Sequence, residues 1–341
     1  MFVIGWFLTN IRSIKAVTLL TSNRTIKFKP PSILEFQRRF ATEEDCTRFL
    51  FEKRWPNGWT CPRCGSVKCY PIEGRKLYEC ACCRYQVSVS AGTVLHKTRT
   101  PLRLWFMAIF FTTTDKRGIS SVGLGNQLGI TQKKAWCMLH KLRRAMGKRD
   151  GRYKLDGLVE LDESFFGAPK EGGCRGRGTS KKKVLVGLSL TPAGKPRHIR
   201  LQVLPRIDRA HLEPAIETAV APGARVKTDG LRSYLSLGNK GFLHERVIAK
   251  DVNILEELRW LHVAVSNAKA LIGGTYHGLG HKEGKHLQAY LDEYAYRYNR
   301  RLRPDMIFDR CIQAVVTCPI WTYWDIIGKR PMHKKAELQA A

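Results

Sequence analysis

The stretch 158–162, Leu-Val-Glu-Leu-Asp, decides the fold class of this chain, because its apolar and polar side chains alternate with a period of two. That period indicates a strand with one buried face. Similar patterns predict strands at 184–190, 198–204 and 225–228 and a helix around 208–220. Strands followed by a helix and another strand are typical of the α/β class. We therefore predict an α/β domain over 151–303, ahead of a C-terminal tail at 304–341.

The charge of the chain points to a polyanionic partner. The 341 residues include 59 Lys and Arg against 29 Asp and Glu, a net charge of +30, and 43% are hydrophobic, which is enough to build a core. A basic folded surface attracts nucleic acid or an anionic membrane. The apolar stretch 2–8 is far shorter than the roughly 20 residues that span a bilayer. We expect a cytoplasmic nucleic-acid-binding protein without a membrane anchor, and an arm of little structure at 1–30.

A cysteine cluster predicts a zinc site. Six of the 11 cysteines lie between residues 61 and 83, in two Cys-x-x-Cys pairs that are separated by fifteen residues. Four thiolates at this spacing suit tetrahedral Zn²⁺ and leave no open position for a substrate, so the site is predicted to be structural. A redox role is the alternative, and Cys82 could replace a neighbouring cysteine. The predicted ligands, within a module of short helices and a zinc ribbon over 31–98, are Cys61, Cys64, Cys80 and Cys83.

The segment 99–150 predicts a small helical domain. A helix begins at Pro101, and two more cross 120–146, where Gly129 breaks them and Thr131 caps the second. A short turn between two helices, the second of them basic, is typical of a helix-turn-helix. A helical bundle with a solvated basic face is the alternative. A Gly-rich basic loop at 170–183 suits contacts with DNA phosphates. The predicted DNA contacts are Lys133, Lys134, Arg143, Arg144, Arg175, Arg177, Lys181, Lys182 and Lys183.

Two aspartates mark a possible centre of chemistry. Asp162 lies near the end of one predicted strand, and Asp229 ends another. Two carboxylates at neighbouring strand ends repel each other unless cations lie between them, which is the arrangement of two-metal phosphoryl transfer. An Asp-Gly after a strand is common in α/β proteins, so this pattern alone leaves a purely structural role open. Glu163 is expected to point away from Asp162, because adjacent side chains of a strand face opposite ways.

Several motifs in one order resemble the ISXO-type insertion-sequence transposases. They are 61–65 (Cys-Pro-Arg-Cys-Gly), 91–94 (Ala-Gly-Thr-Val), 161–167 (Leu-Asp-Glu-Ser-Phe-Phe-Gly), 227–230 (Lys-Thr-Asp-Gly), 274–277 (Gly-Thr-Tyr-His), 290–294 (Tyr-Leu-Asp-Glu-Tyr) and 297–301 (Arg-Tyr-Asn-Arg-Arg). The resemblance covers roughly residues 33–302. It implies an RNase H-like, mixed-sheet catalytic domain of the DDE type behind a zinc ribbon.

The resemblance also implies an activity and its residues. Asp162 and Asp229 match the first two metal-binding positions, and His262 falls at the third, with Lys269 seven residues later. About two helical turns separate His262 from Lys269, so they share one helix face. Asn267 is a competing third ligand. The metal is expected to be Mg²⁺ or Mn²⁺, and an imidazole favours Mn²⁺.

Three functions follow as hypotheses. The first is a transposase that binds the terminal inverted repeats in double-stranded DNA, hydrolyses a phosphodiester and joins the freed 3′-hydroxyl to target DNA. It is expected to act in a bacterial or archaeal nucleoid and to form a homo-oligomer on DNA. The second is a non-catalytic DNA-binding regulator, or an inactive domesticated relative, which a histidine at the third position favours. The third is a nuclease that cleaves without joining.

Overall fold

The computed structural model describes residues 28–72, 74–167, 178–248, 253–276 and 284–328. The first elements are two short helices, α1 and α2, each begun by a capping box in which Ser32 and Thr42 accept a hydrogen bond from the third helical residue. A small antiparallel sheet follows and carries the cysteine cluster. The bounds are α1 Ile33–Arg39, α2 Glu43–Arg54, β1 Cys69–Ile72, β2 Leu77–Cys80 and β3 Gln86–Val87.

Three helices form the next segment: α3 Leu102–Thr114, α4 Ser121–Leu128 and α5 Gln132–Asp150. Helix α4 ends at Gly129, whose φ of 63° lies in the left-handed region that favours glycine. The Thr131 side chain accepts a hydrogen bond from the Lys134 amide and so begins α5. The break and the cap that the sequence predicts are both present.

The described part of the segment predicted as a C-terminal tail contains a helix that is part of a core. Helix α10, Ile307–Thr317, packs against α2, α3 and α5, and Phe308, Cys311 and Val315 are buried with them. Its apolar side chains recur at helical spacing, but only their partners in the earlier helices show that this face is covered. A short helix, α11 Tyr323–Ile327, follows. The predicted divisions at residues 98 and 303 therefore do not separate cores, because α1, α2, α3, α5 and α10 share one.

The larger domain is built on a five-stranded mixed sheet of order β6-β5-β4-β7-β8. Strands β4 to β6 are antiparallel neighbours, whereas β7 pairs in parallel with both β4 and β8. This architecture agrees with the α/β class predicted from the sequence and is consistent with an RNase H-like domain. The bounds are β4 Leu158–Phe166, β5 Lys182–Leu190, β6 Pro196–Leu204, α6 Arg209–Ala219, β7 Arg225–Asp229, a 3₁₀ helix Arg232–Lys240, β8 Leu243–Val247, α7 Ile254–Glu257, α8 Arg259–Thr275 and α9 Leu287–Tyr298.

Each face of the sheet has its own apolar cluster. Val159, Leu161 and Val226 pack with α6 and the 3₁₀ helix on one face. Phe166 and Val186 pack with α8 and α9 on the other. Because side chains of a strand alternate between faces, the even-numbered residues of β4 face α8 and α9. Within the described ranges, no helix is long and apolar enough to cross a membrane.

Candidate active site and metal centre

The parallel pairing of β4 with β7 brings the two predicted aspartates together. Leu158 lies opposite Arg225 and Leu161 opposite Thr228, so the same register, extended by one residue, sets Asp162 beside Asp229. Both side chains fall on the face covered by α8, since Leu161 and Val226 pack on the α6 face. One detail of the prediction is wrong: Asp162 is not near the end of β4, which continues to Phe166 because β5 pairs with it throughout. Asp162 instead lies one residue beyond the last pair with β7, which is Leu161 with Thr228.

Backbone amides orient both carboxylates. The Glu163 amide donates to Asp162 Oδ1 at 2.8 Å, and the Leu231 amide donates to Asp229 Oδ1 at 3.1 Å. The Glu163 side chain accepts a hydrogen bond from the Tyr234 hydroxyl, and Tyr234 is buried in the cluster on the α6 face. Glu163 therefore points away from the α8 face, as predicted. Burial, reinforced by Glu163, Asp162 and Asp229, raises the pKa of Tyr234 and keeps its hydroxyl a donor.

His262 and Lys269 both lie on α8. The Nε2 atom of His262 is buried and has no hydrogen-bond partner among the described residues. Partial burial and the charge of Lys269 lower the pKa of His262, which favours the neutral imidazole that binds metals. Burial and the neighbouring Lys181 lower the pKa of Lys269, and Asp162 opposes them. The Lys269 ammonium lies 5.6 Å from the centre of the Phe166 ring, so it reaches the sheet face that carries Asp162.

Asn267, the competing third ligand, lies on a different side of α8. It lines a cavity of about 1040 Å³ together with Trp260, Val263 and residues of the 113–117 turn. Five helical positions separate Asn267 from His262, which turns the two side chains well apart around the helix axis. Neither Asp162 nor Asp229 lines that cavity. The geometry therefore favours His262 over Asn267 as a partner of the aspartates.

The predicted DNA contacts divide into four groups. Lys133, Lys134 and Arg144 are exposed on α5, whereas Lys181, Lys182 and Lys183 lie at the start of β5, where they border a cavity with Lys285. Arg175 and Arg177 lie outside the described residues. Arg143 is not a surface residue.

Burial of Arg143 corrects its assignment as a DNA contact. Its side chain is 1% exposed, and its Nε donates to Glu293 Oε2 of α9 at 2.7 Å. The guanidinium also lies over the Tyr290 ring, 4.1 Å from its centre. His140, one turn earlier, is fully buried against His286 and Tyr290. The sequence shows a basic stripe on α5, but one side of that stripe is the interface with α9.

The four predicted zinc ligands form one cluster. The Sγ atoms of Cys61, Cys64, Cys80 and Cys83 all lie within 4.8 Å of one another. Cys61 Sγ is 3.7 Å from Cys83 Sγ, and Cys64 Sγ is 3.5 Å from Cys80 Sγ. Amides of Arg63 and Cys83 point at the sulfurs of Cys61 and Cys80, which stabilises thiolate charge. Four converging sulfurs with amide support fit tetrahedral Zn²⁺, and Cys82 is not part of the cluster.

Sequence reasoning missed two charged residues next to the aspartates. Glu160 on β4 is 3% exposed, and Lys227 lies opposite it on β7. Burial raises the pKa of Glu160 to about 7, although the hydrogen bond from the Leu261 amide and the charge of Lys227 both lower it. The available signal was a glutamate two residues before Asp162, on the same face of the strand, where a buried acid needs a specific partner.

Comparison with known proteins agrees with these features. A family model described as an ISXO2-like transposase domain matches residues 154–299, and one described as a transposase zinc-ribbon domain matches residues 41–86. The two matches bear out the resemblance to the ISXO-type insertion-sequence transposases: the chain carries an ISXO2-like transposase domain and, ahead of it, a transposase zinc ribbon. A relative from Halobacterium salinarum is 26% identical over 233 residues, which make up 63% of this chain and 76% of the relative. Its name is "Uncharacterized protein in transposable element ISH50".

Proposed function

We propose that this protein is an active DDE-type transposase that hydrolyses a phosphodiester at the ends of its element and joins the freed 3′-hydroxyl to target DNA. The observation that carries the proposal is the pair Asp162 and Asp229, which adjacent parallel strands hold on one sheet face. Because backbone amides already orient both carboxylates, the pair is pre-organised for divalent cations. The proposal rests on the matched transposase domain for the reaction class and on this geometry for the residues.

The residues present fit a divalent metal. Asp162 and Asp229 offer carboxylate oxygens, and His262 offers a buried Nε2 that lacks a partner among the described residues. Oxygen ligands suit Mg²⁺ and Mn²⁺, and the added imidazole favours Mn²⁺. When bound, such ions activate the attacking oxygen and stabilise the leaving one. We assign His262, rather than Asn267, as the third group.

The chain supplies positioning and charge around this centre. The amides of Glu163 and Leu231 each donate a hydrogen bond to one oxygen of Asp162 and Asp229 respectively, and so orient the two carboxylates. Lys269 places positive charge near Asp162, and Lys181 adds charge beside Lys269, where the two lysines would hold the phosphate of the reacting strand.

DNA recognition is assigned to the basic surfaces. We infer that the α4–α5 pair acts as a helix-turn-helix, in which the exposed first turn of α5, with Lys133 and Lys134, approaches base edges. Arg144 and the lysines at 181–183, together with the loop that holds Arg175 and Arg177, would contact phosphates. The zinc-loaded ribbon supports the helical core.

Pairing of two DNA ends calls for at least two copies, so we infer a homo-oligomer on DNA, at the nucleoid of the cell.

The experiment incubates zinc-loaded protein and Mn²⁺ or Mg²⁺ with duplexes that carry the terminal repeats flanking its gene, plus a supercoiled target. A transposase yields nicked ends and joined products. Cleavage without joining would identify a nuclease. Specific binding of the repeats with neither product, in either metal, would identify the DNA-binding regulator that the histidine at position 262 favours, and would reject the proposal.

A further inference from the structure

A second pair of charged side chains lies next to the two aspartates, one step earlier along the same face of β4 and β7. Glu160 precedes Asp162 by two residues on β4, and Lys227 precedes Asp229 by two residues on β7. A spacing of two keeps each pair on one face of its strand. Glu160 and Lys227 are also register partners, so they repeat the arrangement of the aspartates. The Glu160 side chain reaches the start of α8, and the Lys227 side chain reaches the end of α7, just before it.

Glu160 caps α8 from the sheet. Its Oε2 accepts a hydrogen bond from the Leu261 amide at 3.1 Å, and Leu261 is the third residue of the helix. An N-cap side chain normally binds this amide, but the N-cap residue is Leu258, which makes no side-chain cap. A carboxylate at this end of a helix also interacts favourably with the helix dipole. The first turn of α8 is thus fixed by a residue 101 positions away.

Lys227 fixes the chain just before α8. Its ammonium forms an ion pair with Glu257, the last residue of α7, and the Lys227 side chain is only 16% exposed. Glu257 is followed by Leu258, the N-cap of α8. Each of the two strands that carry the aspartates therefore contacts the α7–α8 junction, β4 through Glu160 and β7 through Lys227. His262 follows Leu261 directly and inherits its placement from these contacts.

We propose that Glu160 is a positioning residue, which holds the first turn of α8 and thereby sets the His262 imidazole against Asp162 and Asp229. Lys227 supports the same junction through Glu257. The inference rests on the proposed metal-dependent function. It assigns Glu160 no contact with metal or DNA, because the carboxylate is engaged by the helix.

The test compares Glu160→Ala, Glu160→Gln and Lys227→Met in the zinc-loaded full-length protein. The control is Asp208→Ala, which removes the N-cap of α6 on the opposite face, where Asp208 Oδ1 accepts from the His211 amide at 3.1 Å. Both alanine variants lose one helix cap, so their losses of stability should be similar. Mn²⁺ binding is followed by electron paramagnetic resonance, and the part abolished by Asp162→Asn defines the site. Hydrogen exchange is followed over residues 259–265.

The expected result is Mn²⁺ affinity about fivefold weaker in Glu160→Ala, the equivalent of one lost cap. Glu160→Gln retains an acceptor for the Leu261 amide and should recover most of that loss, whereas Lys227→Met should weaken binding. Exchange in the first turn of α8 should be faster in Glu160→Ala but unchanged in Asp208→Ala. Equal Mn²⁺ affinity and equal exchange in the two alanine variants would overturn the inference.

Failure of the proposed function gives a different pattern. If the wild-type protein joins no DNA ends, but the first turn of α8 still opens in Glu160→Ala alone, then the positioning role stands and the proposed reaction is rejected. If Glu160→Ala does not fold, Lys227→Met decides the question through exchange at α8, because Glu160→Gln keeps the acceptor and is expected to stay close to the wild type. Unchanged exchange in Lys227→Met would then reject the role.

Discussion

At the residue scale, alanine substitutions of two neighbouring arginines of α5 are expected to have opposite effects on stability and on DNA binding. Arg143 is paired with Glu293 at 1% exposure of both side chains, whereas Arg144 is exposed. Removing one partner of a buried ion pair leaves an uncompensated charge, so Arg143→Ala should lower the free energy of unfolding by about 3–5 kcal/mol. Arg144→Ala should change it by less than about 0.5 kcal/mol and weaken DNA binding at low salt instead.

Chemical denaturation and a salt series of DNA binding measure both effects. The opposite pattern, with stable Arg143→Ala protein that fails to bind DNA, would restore the assignment of Arg143 as a DNA contact. The structure gives that outcome no support, because the guanidinium is enclosed by Tyr276, Tyr290 and Glu293.

His140 makes stability depend on pH. Burial, together with the charges of Arg143 and His286, lowers its pKa to about 2. Between that value and the ordinary histidine pKa near 6.5, the unfolded chain binds a proton that the folded chain does not, so stability falls as the pH falls. From pH 7 to pH 5 this one residue should cost about 2 kcal/mol.

His140→Phe keeps a ring in the site and cannot be protonated. Both ring nitrogens of His140 lack partners among the described residues, so the variant loses no hydrogen bond. Its free energy of unfolding should fall by about 2 kcal/mol less than that of the wild type between pH 7 and pH 5. Identical pH profiles would show that His140 is protonated in the folded protein.

At the element scale, side-chain amides of α9 complete the edge strand β6. Asn299, just after α9, accepts from the Ile199 amide at 2.8 Å and donates to the Ile199 carbonyl at 3.1 Å. Gln288 pairs in the same manner with the Val203 amide and the Leu201 carbonyl. An edge strand with open backbone groups invites pairing with another chain. These two amides close part of that edge without a further strand.

Asn299→Ala should therefore lower the free energy of unfolding by about 1–3 kcal/mol, since it leaves backbone groups of β6 without partners. The double variant with Gln288→Ala should also self-associate, as measured by light scattering. Asn239→Ala is the matched control, because Asn239 is an exposed amide in the 3₁₀ helix. Equal stability and equal scattering in all variants would show that water satisfies the edge equally well.

At the scale of the whole molecule, the sequence predicts those features that depend on local pattern. The sequence pattern predicted four of the five strands of the larger sheet, but not β8. The cysteine spacing predicted the four clustered sulfurs, and the Gly129 and Thr131 signals predicted the start of α5. Because Asp162 and Asp229 each fall at a predicted strand, the order of strands and helices predicted that the two aspartates lie close together. Family motifs in sequence order supplied His262 and Lys269.

Features that depend on partners far away in the sequence could not be predicted from the local sequence pattern. Burial of Arg143 depends on α9, 150 residues later, and the role of α10 depends on a core built from the first helices. Glu160 is adjacent to the motif that marked Asp162, yet its partner is the Leu261 amide at the start of another helix. In each case the sequence shows a charged or apolar side chain, but it does not show which surface of the folded protein covers that side chain.

The central claim is that Asp162 and Asp229 together form the catalytic centre. The most direct test is the rate at which 3′-ends are joined to target DNA by Asp162→Asn and Asp229→Asn, compared with Asp156→Asn. Asp156 lies in the same domain and is 58% exposed beside Arg197. We expect each of the first two variants to lose at least about a hundredfold in rate while binding DNA normally, because several kcal/mol of transition-state stabilisation depend on the metal ligands. Rates within a few-fold of Asp156→Asn for either aspartate variant would contradict the account.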